Sequence, residues 1–270
     1  MAKQKLLLVD GSSLAFRAFF SILDLNRFKN ANGLHTNALY SFHRMFKSIL
    51  DSEKPTHVLV AWDAGKTTFR TEMYADYKGG RSKTPGEFIE QMPYFNVLLD
   101  AWGIPHYRLN QYEADDIIGT LAKQGEAAGY EVVVLSGDKD LIQLADKNIT
   151  VKITTKGVTE LVEYTPEVIF EKYGLTPEQI IDMKGLMGDS SDNYPGVTKV
   201  GEKTAVKLLQ EFGSVEGIYE HVDEMKKSKL KENLINDKEL AFLSKKLARI
   251  NVESPLEITL DDTLRKEQDV

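Results

Sequence analysis

Three apolar runs in the first half of the chain, KLLLVD, HVLVAWD and EVVVLSGD, each end on an aspartate, and nothing else in the sequence limits the fold so tightly. Short unbroken runs of valine and leucine read as strands buried on both faces. Helical patterns separate them. Residues 37 to 51 place Leu39, Phe42, Met45, Phe46, Ile49 and Leu50 on one helical face. FIEQMPYFNVLLDAWG reads as one helix closed by Gly103, IPHYRL as a short strand, and EADDIIGTLAKQGEAAG as a helix closed by Gly129. This alternation predicts an α/β fold, a mostly parallel central sheet with helices on both faces. Residues 148 to 164 read as a hairpin about Lys156-Gly157, and the pattern is helical from Pro166 onward. The expected division is an α/β core over 1–165 and a helical region over 166–270, the latter without a clear closing element.

Ligands of an open parallel sheet gather outside the carboxyl ends of its strands, where Asp10, Asp63 and Asp138 fall. Six more acids join them: Glu113, Asp115 and Asp116 at the start of a helix, Asp140 just after Asp138, and Asp189 and Asp192 in GDSSDNYPGV. Singly, each cluster has an ordinary explanation, because helix N-termini favour acids and tight turns favour aspartate. Neither explanation accounts for separate segments delivering carboxylates to one sheet edge. Grouped anions in a partly desolvated site repel one another and take up protons unless a counter-charge is present. No arginine stands inside the clusters, so the expected partner is a pair of hard divalent cations, Mg²⁺ or Mn²⁺. Two such ions about 3.5–4 Å apart can share one phosphate, one activating water and the other stabilising the leaving oxygen. Nine acids exceed what direct coordination needs, so some should hold the ions' waters. The pattern predicts a metal-dependent hydrolase of phosphate esters.

Other chemistries drop out. Cysteine is absent, which removes disulfides, thiol catalysis and Cys-zinc sites, and the five histidines share no ligand spacing. No apolar run reaches the ~18 residues of a membrane span, and the first residues lack a signal-peptide pattern, so a cytoplasmic protein without a membrane partner is expected. AGKT at 64–67 would end a phosphate-binding loop only with glycine at position 60, which is Val60. A phosphoaspartate mechanism needs a second aspartate where Ser12 stands. The net charge of −7 counts against a nucleic-acid partner, yet setting the nine acids aside leaves 32 facing 34 Lys and Arg.

Two segments suit a polyphosphate chain. Residues 69 to 95 interleave Arg70, Lys78, Arg81 and Lys83 with Phe69, Tyr74 and Tyr77, so that rings can stack on bases while cations neutralise phosphate. Residues 196 to 204, GVTKVGEKT, set two glycines between helical stretches, with Lys199, Lys203 and Lys207 nearby. A tight hairpin there would present amide groups beside a helix N-terminus and hold phosphate without reading bases.

Taken in order, VDGSSLAFRAFF, VAWDAGKTTFR, YKGGR, YEADDIIGTLA, SGDKDLIQL, MGDSSDN and PGVTKVGEKTA closely resemble the 5′-nuclease (flap endonuclease) family. The likeness runs to about residue 250 and is greatest to the 5′→3′ exonuclease domains at the N-terminus of bacterial DNA polymerase I. It implies a PIN-like core, a helical arch at about 69–95 and a helix-hairpin-helix at about 180–212. It implies a first metal site at Asp10, Asp63, Glu113, Asp115 and Asp116, and a second at Asp138, Asp140, Asp189 and Asp192. It further implies that Arg17, Tyr77, Lys78 and Arg81 position and activate the scissile phosphate, Lys78 and Arg81 as catalytic cations. DNA contacts are then expected from Arg17, Arg70, Tyr77 and Lys83, and from Gly196, Val197, Lys199, Gly201, Lys203 and Thr204, with a K⁺ ion at the hairpin. The implied activity is cleavage at 5′ ends and 5′ flaps of branched DNA and of RNA–DNA primers, in Okazaki-fragment processing and repair near a bacterial nucleoid. A covalently linked polymerase domain is the implied partner.

Overall fold

Every strand of the core that the sequence marks as unbroken and apolar is buried on both sides, and the chain builds one layer against each side. The computed structural model describes residues 4–80, 82–155 and 160–266. Its strands are β1 (Lys5–Asp10), β2 (His57–Ala61), β3 (His106–Tyr107), β4 (Glu131–Ser136), β5 (Ile149–Thr154) and β6 (Leu161–Tyr164), in spatial order β3-β2-β1-β4-β5-β6. All neighbours pair in parallel except β5 and β6. Strand order reverses beside β1, which makes the ends of β1 and β4 a crevice for ligands.

Alternate residues face opposite layers. Leu7 and Val9, Val58 and Val60, and Val133 and Leu135 face a layer formed by α1 (Gly11–Phe20) and α2 (Asn37–Glu53). After α3 (Phe69–Met73), which joins neither layer, α4 (Gly86–Ile89) and α5 (Met92–Ala101) add Phe88, Phe95 and Leu99 to it. Leu6 and Leu8, Leu59 and Ala61, and Val132 and Val134 face α6 (Ala114–Ala127). The same apolar layer continues into the helical region: α7 (Pro166–Tyr173), α8 (Pro177–Met187), α9 (Glu202–Phe212), α10 (Val215–His221), α11 (Lys229–Asn236) and α12 (Lys238–Ala248). Gly11 lets α1 spring directly from β1, because a Cβ there would lie 2.7 Å from Val60 Cγ1.

Two expectations change. The single helix over FIEQMPYFNVLLDAWG is two, α4 and α5, with Pro93 in the first turn of the second; proline has no N–H to continue a helix through that point. IPHYRL contributes only His106 and Tyr107 to the sheet. Among its described residues the segment expected as an arch holds α3, turns through residue 80, the four-residue α4 and the start of α5. The β5–β6 hairpin is present, and its expected turn at Lys156-Gly157 lies outside the described residues.

Past α12 the chain runs back over the core. The Ser254 amide donates to Thr120 Oγ1 at 3.0 Å and the Arg265 amide to the Thr56 carbonyl at 2.9 Å. This strap is the closing element that the sequence did not disclose. Among the described residues no helix is long and apolar enough to cross a membrane.

Candidate metal centre

Each strand end delivers its acid because the backbone leaves it no other direction. Asp10 closes β1 and caps α1: its Oδ1 accepts the Ser13 amide at 2.9 Å and its Oδ2 the Ser136 hydroxyl at 2.7 Å. Ser136 ends β4, and its Oγ also accepts the Asp138 amide at 2.9 Å, so one hydroxyl ties the first strand's acid to the fourth strand's loop. Asp63, two residues past β2, accepts the Ala114 amide at 2.9 Å and thereby fixes the start of α6. Asp138 caps the turn of 3₁₀ helix at Lys139–Leu144 that carries Asp140. Asp189 follows α8, where the Gly188 amide closes the helix and Tyr194 pairs back onto Asp189.

Eight of the nine predicted acids meet at this edge: Asp10 faces Asp63, Asp115 and Asp138, Asp140 faces Asp138 and Asp189, and the Tyr77 hydroxyl lies between Glu113 and Asp192. Burial, then Asp63, pushes the Asp10 carboxyl up to about 7. Burial, then Asp138, does the same to Asp140, also to about 7. Burial and the nearby Asp10 and Asp138 push Asp115 well above the usual carboxylate range. These influences cross between the two groups of ligands expected from the sequence, so Asp138 stands between them. Bringing so many carboxylates together costs free energy that an ion of charge +2 would return.

The ninth acid is turned away, and that corrects two expectations. Asp116 is wholly buried, its Oδ1 accepting Arg70 Nη2 at 2.8 Å and the Asn251 amide at 2.9 Å. Its Oδ2 accepts Arg70 Nη1 at 2.8 Å and the Glu113 amide at 3.0 Å. No lone pair direction is left for a metal. Arg70, expected to touch DNA, is 2% exposed and also donates to the carbonyls of Leu247 and Arg249 at 3.0 and 2.8 Å. Glu113 and Asp116 do share a helix face, as their spacing requires, but that face looks partly onto Arg70.

Cations from intervening segments supply the counter-charge that the clusters themselves lack. Lys78, in left-handed backbone at φ 56, places its ammonium 2.8 Å from Glu113 Oε1. Lys184, which the sequence reading passed over, bonds Asp140 Oδ1 at 2.7 Å and also Asp189. Despite its burial, those two carboxylates raise the Lys184 pKa above the ordinary lysine value. For Asp189, Lys184 and Ser191 overcome burial and hold the carboxyl down at about 2. Lys184 stands in α8 within IIDMKGLM, where Asp182 is the other charge and nothing in the spacing names its partners. Tyr77 is buried as well; its hydroxyl lies 3.3 Å from Glu113 and 3.2 Å from Asp192, and its ring has no face for a base.

The remaining residues expected to touch phosphate divide by exposure. Arg17 lies at the rim, its Nη1 on the Thr155 carbonyl and its Nε beside Gly137. Lys83, Lys199, Gly201 and Lys203 are exposed and Thr204 is half-buried. Gly196 and Val197 face inward: their amides donate to Ser244 Oγ at 2.9 Å and the Leu186 carbonyl at 2.7 Å, so neither amide is offered to DNA. Only glycine fits at 196, where a Cβ would lie 2.2 Å from the Gly188 nitrogen at φ 60. Arg81 lies outside the described residues.

The donor set fits hard divalent ions: carboxylates throughout, partly desolvated, with hydroxyls between them. Among the described residues no three acids are already drawn together as a ready ligand set. Lys78 bonds Glu113, and Lys184 bonds Asp140 and Asp189.

Residues 5–174 match the 5′-3′ exonuclease N-terminal, resolvase-like domain, and residues 175–270 match the 5′-3′ exonuclease C-terminal SAM fold. Those two domains meet one helix later than the division expected at residue 165. DNA polymerase I of Lactococcus lactis subsp. cremoris (strain MG1363) is 62% identical over 99% of this chain, which spans 31% of that relative's length. Among solved structures, T5 5′-exonuclease with bound divalent zinc superposes with a TM-score of 0.74 at 27% identity, covering 92% of this chain and 90% of that one. The T5 D15 flap endonuclease complex with DNA and metal ions gives 0.73 at 26% identity, over 92% and 89%. With both of its domains matched end to end, the chain belongs to the 5′-3′ exonuclease family.

Proposed function

We propose that this chain, a 5′→3′ exonuclease by family, hydrolyses phosphodiesters at free 5′ ends and at the base of 5′ flaps, in DNA and in RNA primers paired to it. The observation that carries the reading is the convergence of eight carboxylates from separate segments on one edge of a parallel sheet, with Asp10 and Asp140 lifted to about 7. Asp10, Asp63, Glu113 and Asp115 would hold one divalent cation, and Asp138, Asp140, Asp189 and Asp192 the other. When bound, such a pair supplies a nucleophilic water at neutral pH and neutralises charge on the leaving oxygen. Mg²⁺ and Mn²⁺ both suit an all-oxygen site. Asp116 contributes by anchoring Arg70 and the start of α6.

The chain's own cations do the rest. Lys78 exchanges Glu113 for the scissile phosphate, where its charge matters more as the transition state forms. Arg81 joins Lys78 in neutralising that phosphate's charge, and Arg17 at the rim holds a neighbouring phosphate. Lys184 keeps Asp140 and Asp189 aligned. The exposed Lys199, Gly201 and Lys203 and the half-buried Thr204 grip the duplex through its phosphates, with a K⁺ ion at the hairpin, so that recognition follows shape rather than sequence. The released fragment carries a 3′-hydroxyl and the trimmed strand a 5′-phosphate. In a longer parent chain a linked polymerase would extend the strand that displaces the flap.

A 5′-labelled flap duplex incubated with Mg²⁺ should be cut near the junction, and excess chelator should stop the cut. Tight flap binding with no cleavage in Mg²⁺ or Mn²⁺ would make the chain a branched-DNA binding module instead.

A further inference from the structure

Two buried side-chain polar atoms lack a hydrogen-bond partner among the described residues, Trp62 Nε1 and the Tyr194 hydroxyl. The Trp62 indole sits in the apolar layer against Phe42 and Phe95. Tyr194 is differently placed. Its backbone exchanges two 3.0 Å hydrogen bonds with Asp189, and its ring stacks on Tyr77 with centroids 6.4 Å apart. The Tyr77 hydroxyl beside it is satisfied by Glu113 and Asp192. Tyr194 is 3% exposed, and its buried hydroxyl has no hydrogen-bond partner among the described residues. Its backbone bonds set it beside Asp189, and the Tyr77 ring it stacks on carries a hydroxyl 3.2 Å from Asp192, so the Tyr194 hydroxyl is a buried donor next to the second group of acids. The acceptors have other partners: Lys184 on Asp140 and Asp189, Ser191 on Asp189, Tyr77 on Asp192.

We propose that the Tyr194 hydroxyl is a positioning donor for the second cation, hydrogen-bonding to a water in the hydration shell of an ion held by Asp138, Asp140, Asp189 and Asp192. This rests on the reading of those four acids as ion ligands. Hard divalent ions keep part of their water, and donors in the next shell orient it. A buried hydroxyl without a partner is unfavourable in the metal-free protein. Loading the ion gives it one, so the same oxygen weakens the empty fold and strengthens ion binding.

Tyr194→Phe removes that oxygen and little else. Mn²⁺ is titrated calorimetrically into the full chain without DNA, and thermal melts are recorded in chelator. The expected result is a loss of about tenfold in affinity at one of two Mn²⁺ sites, with a chelator melting temperature equal to or above the wild type. Tyr194→Leu, which also loses the ring against Tyr77, should show the same affinity loss and a lower melting temperature. Unchanged Mn²⁺ binding by Tyr194→Phe, or a lower melting temperature for it in chelator, would overturn the inference while leaving the ligand set standing. Failure of the wild type to take up Mn²⁺ would instead remove the ligand set, and the inference with it.

Discussion

Replacing Arg70 by methionine separates the role the sequence suggested from the one the structure gives. Methionine fills the aliphatic part of the site but leaves Asp116, which is wholly buried, without its counter-charge. It also strips the Leu247 and Arg249 carbonyls of their donors. Burial alone would lower the Arg70 pKa, and Asp116 more than reverses this, so the guanidinium stays charged at every accessible pH. Breaking a buried pair from one side costs about 3–5 kcal/mol, because the stranded charge remains desolvated. Because its partners lie in α6 and α12, the loss should appear as global unfolding rather than local fraying. Urea melts in chelator at pH 7 should move by that amount, with Arg70→Lys losing less because it keeps the charge and forfeits the two-pronged geometry. Adding Asp116→Asn to Arg70→Met should recover part of the loss, since Asn can still accept the Glu113 and Asn251 amides without a charge. A loss below ~1 kcal/mol, accompanied by weaker DNA binding, would refute this reasoning and return Arg70 to the DNA surface.

In chelator, stability should fall as pH rises from about 4 to 7. Asp10 and Asp140 titrate near 7 in the folded chain against 3.8 for an ordinary aspartate, so the folded state binds more protons across that window. The change should be on the order of 4 kcal/mol for each carboxylate, and Mn²⁺ should raise the melting temperature more at pH 8 than at pH 5; a flat metal-free profile would contradict the burial of these acids. The Asp189 carboxyl, held at about 2, adds stability that is lost only as pH falls below about 4. Asp189→Asn should lower turnover at least 100-fold while flap affinity in Ca²⁺ changes little, and unaltered cleavage would remove Asp189 from the mechanism. Lys78→Ala should slow single-turnover cleavage at saturating DNA by about 100-fold; a loss confined to affinity would make Lys78 a clamp.

What could be read from the sequence follows from side-chain length. Aspartate has one methylene, so its carboxylate goes where the backbone goes, and a strand end or helix start fixes it. Asp10, Asp63 and Asp138 were therefore legible as soon as KLLLVD, HVLVAWD and EVVVLSGD were recognised as parallel strands. The hairpin between α8 and α9 was legible for a similar reason, since glycine marks a backbone shape whatever surrounds it. Lysine, arginine and tyrosine reach several bonds from the chain, and their partners are chosen only once distant segments pack. That is why Arg70 and Tyr77, placed on the DNA side by their neighbours in sequence, end up beneath the carboxylates, and why Lys184 gave no sign of bridging Asp140 and Asp189. Asp116 illustrates the boundary. Helical spacing puts it with Glu113 and apart from Asp115, but only the position of Arg70, 46 residues earlier, decides which of those faces is left open and which holds the fold together.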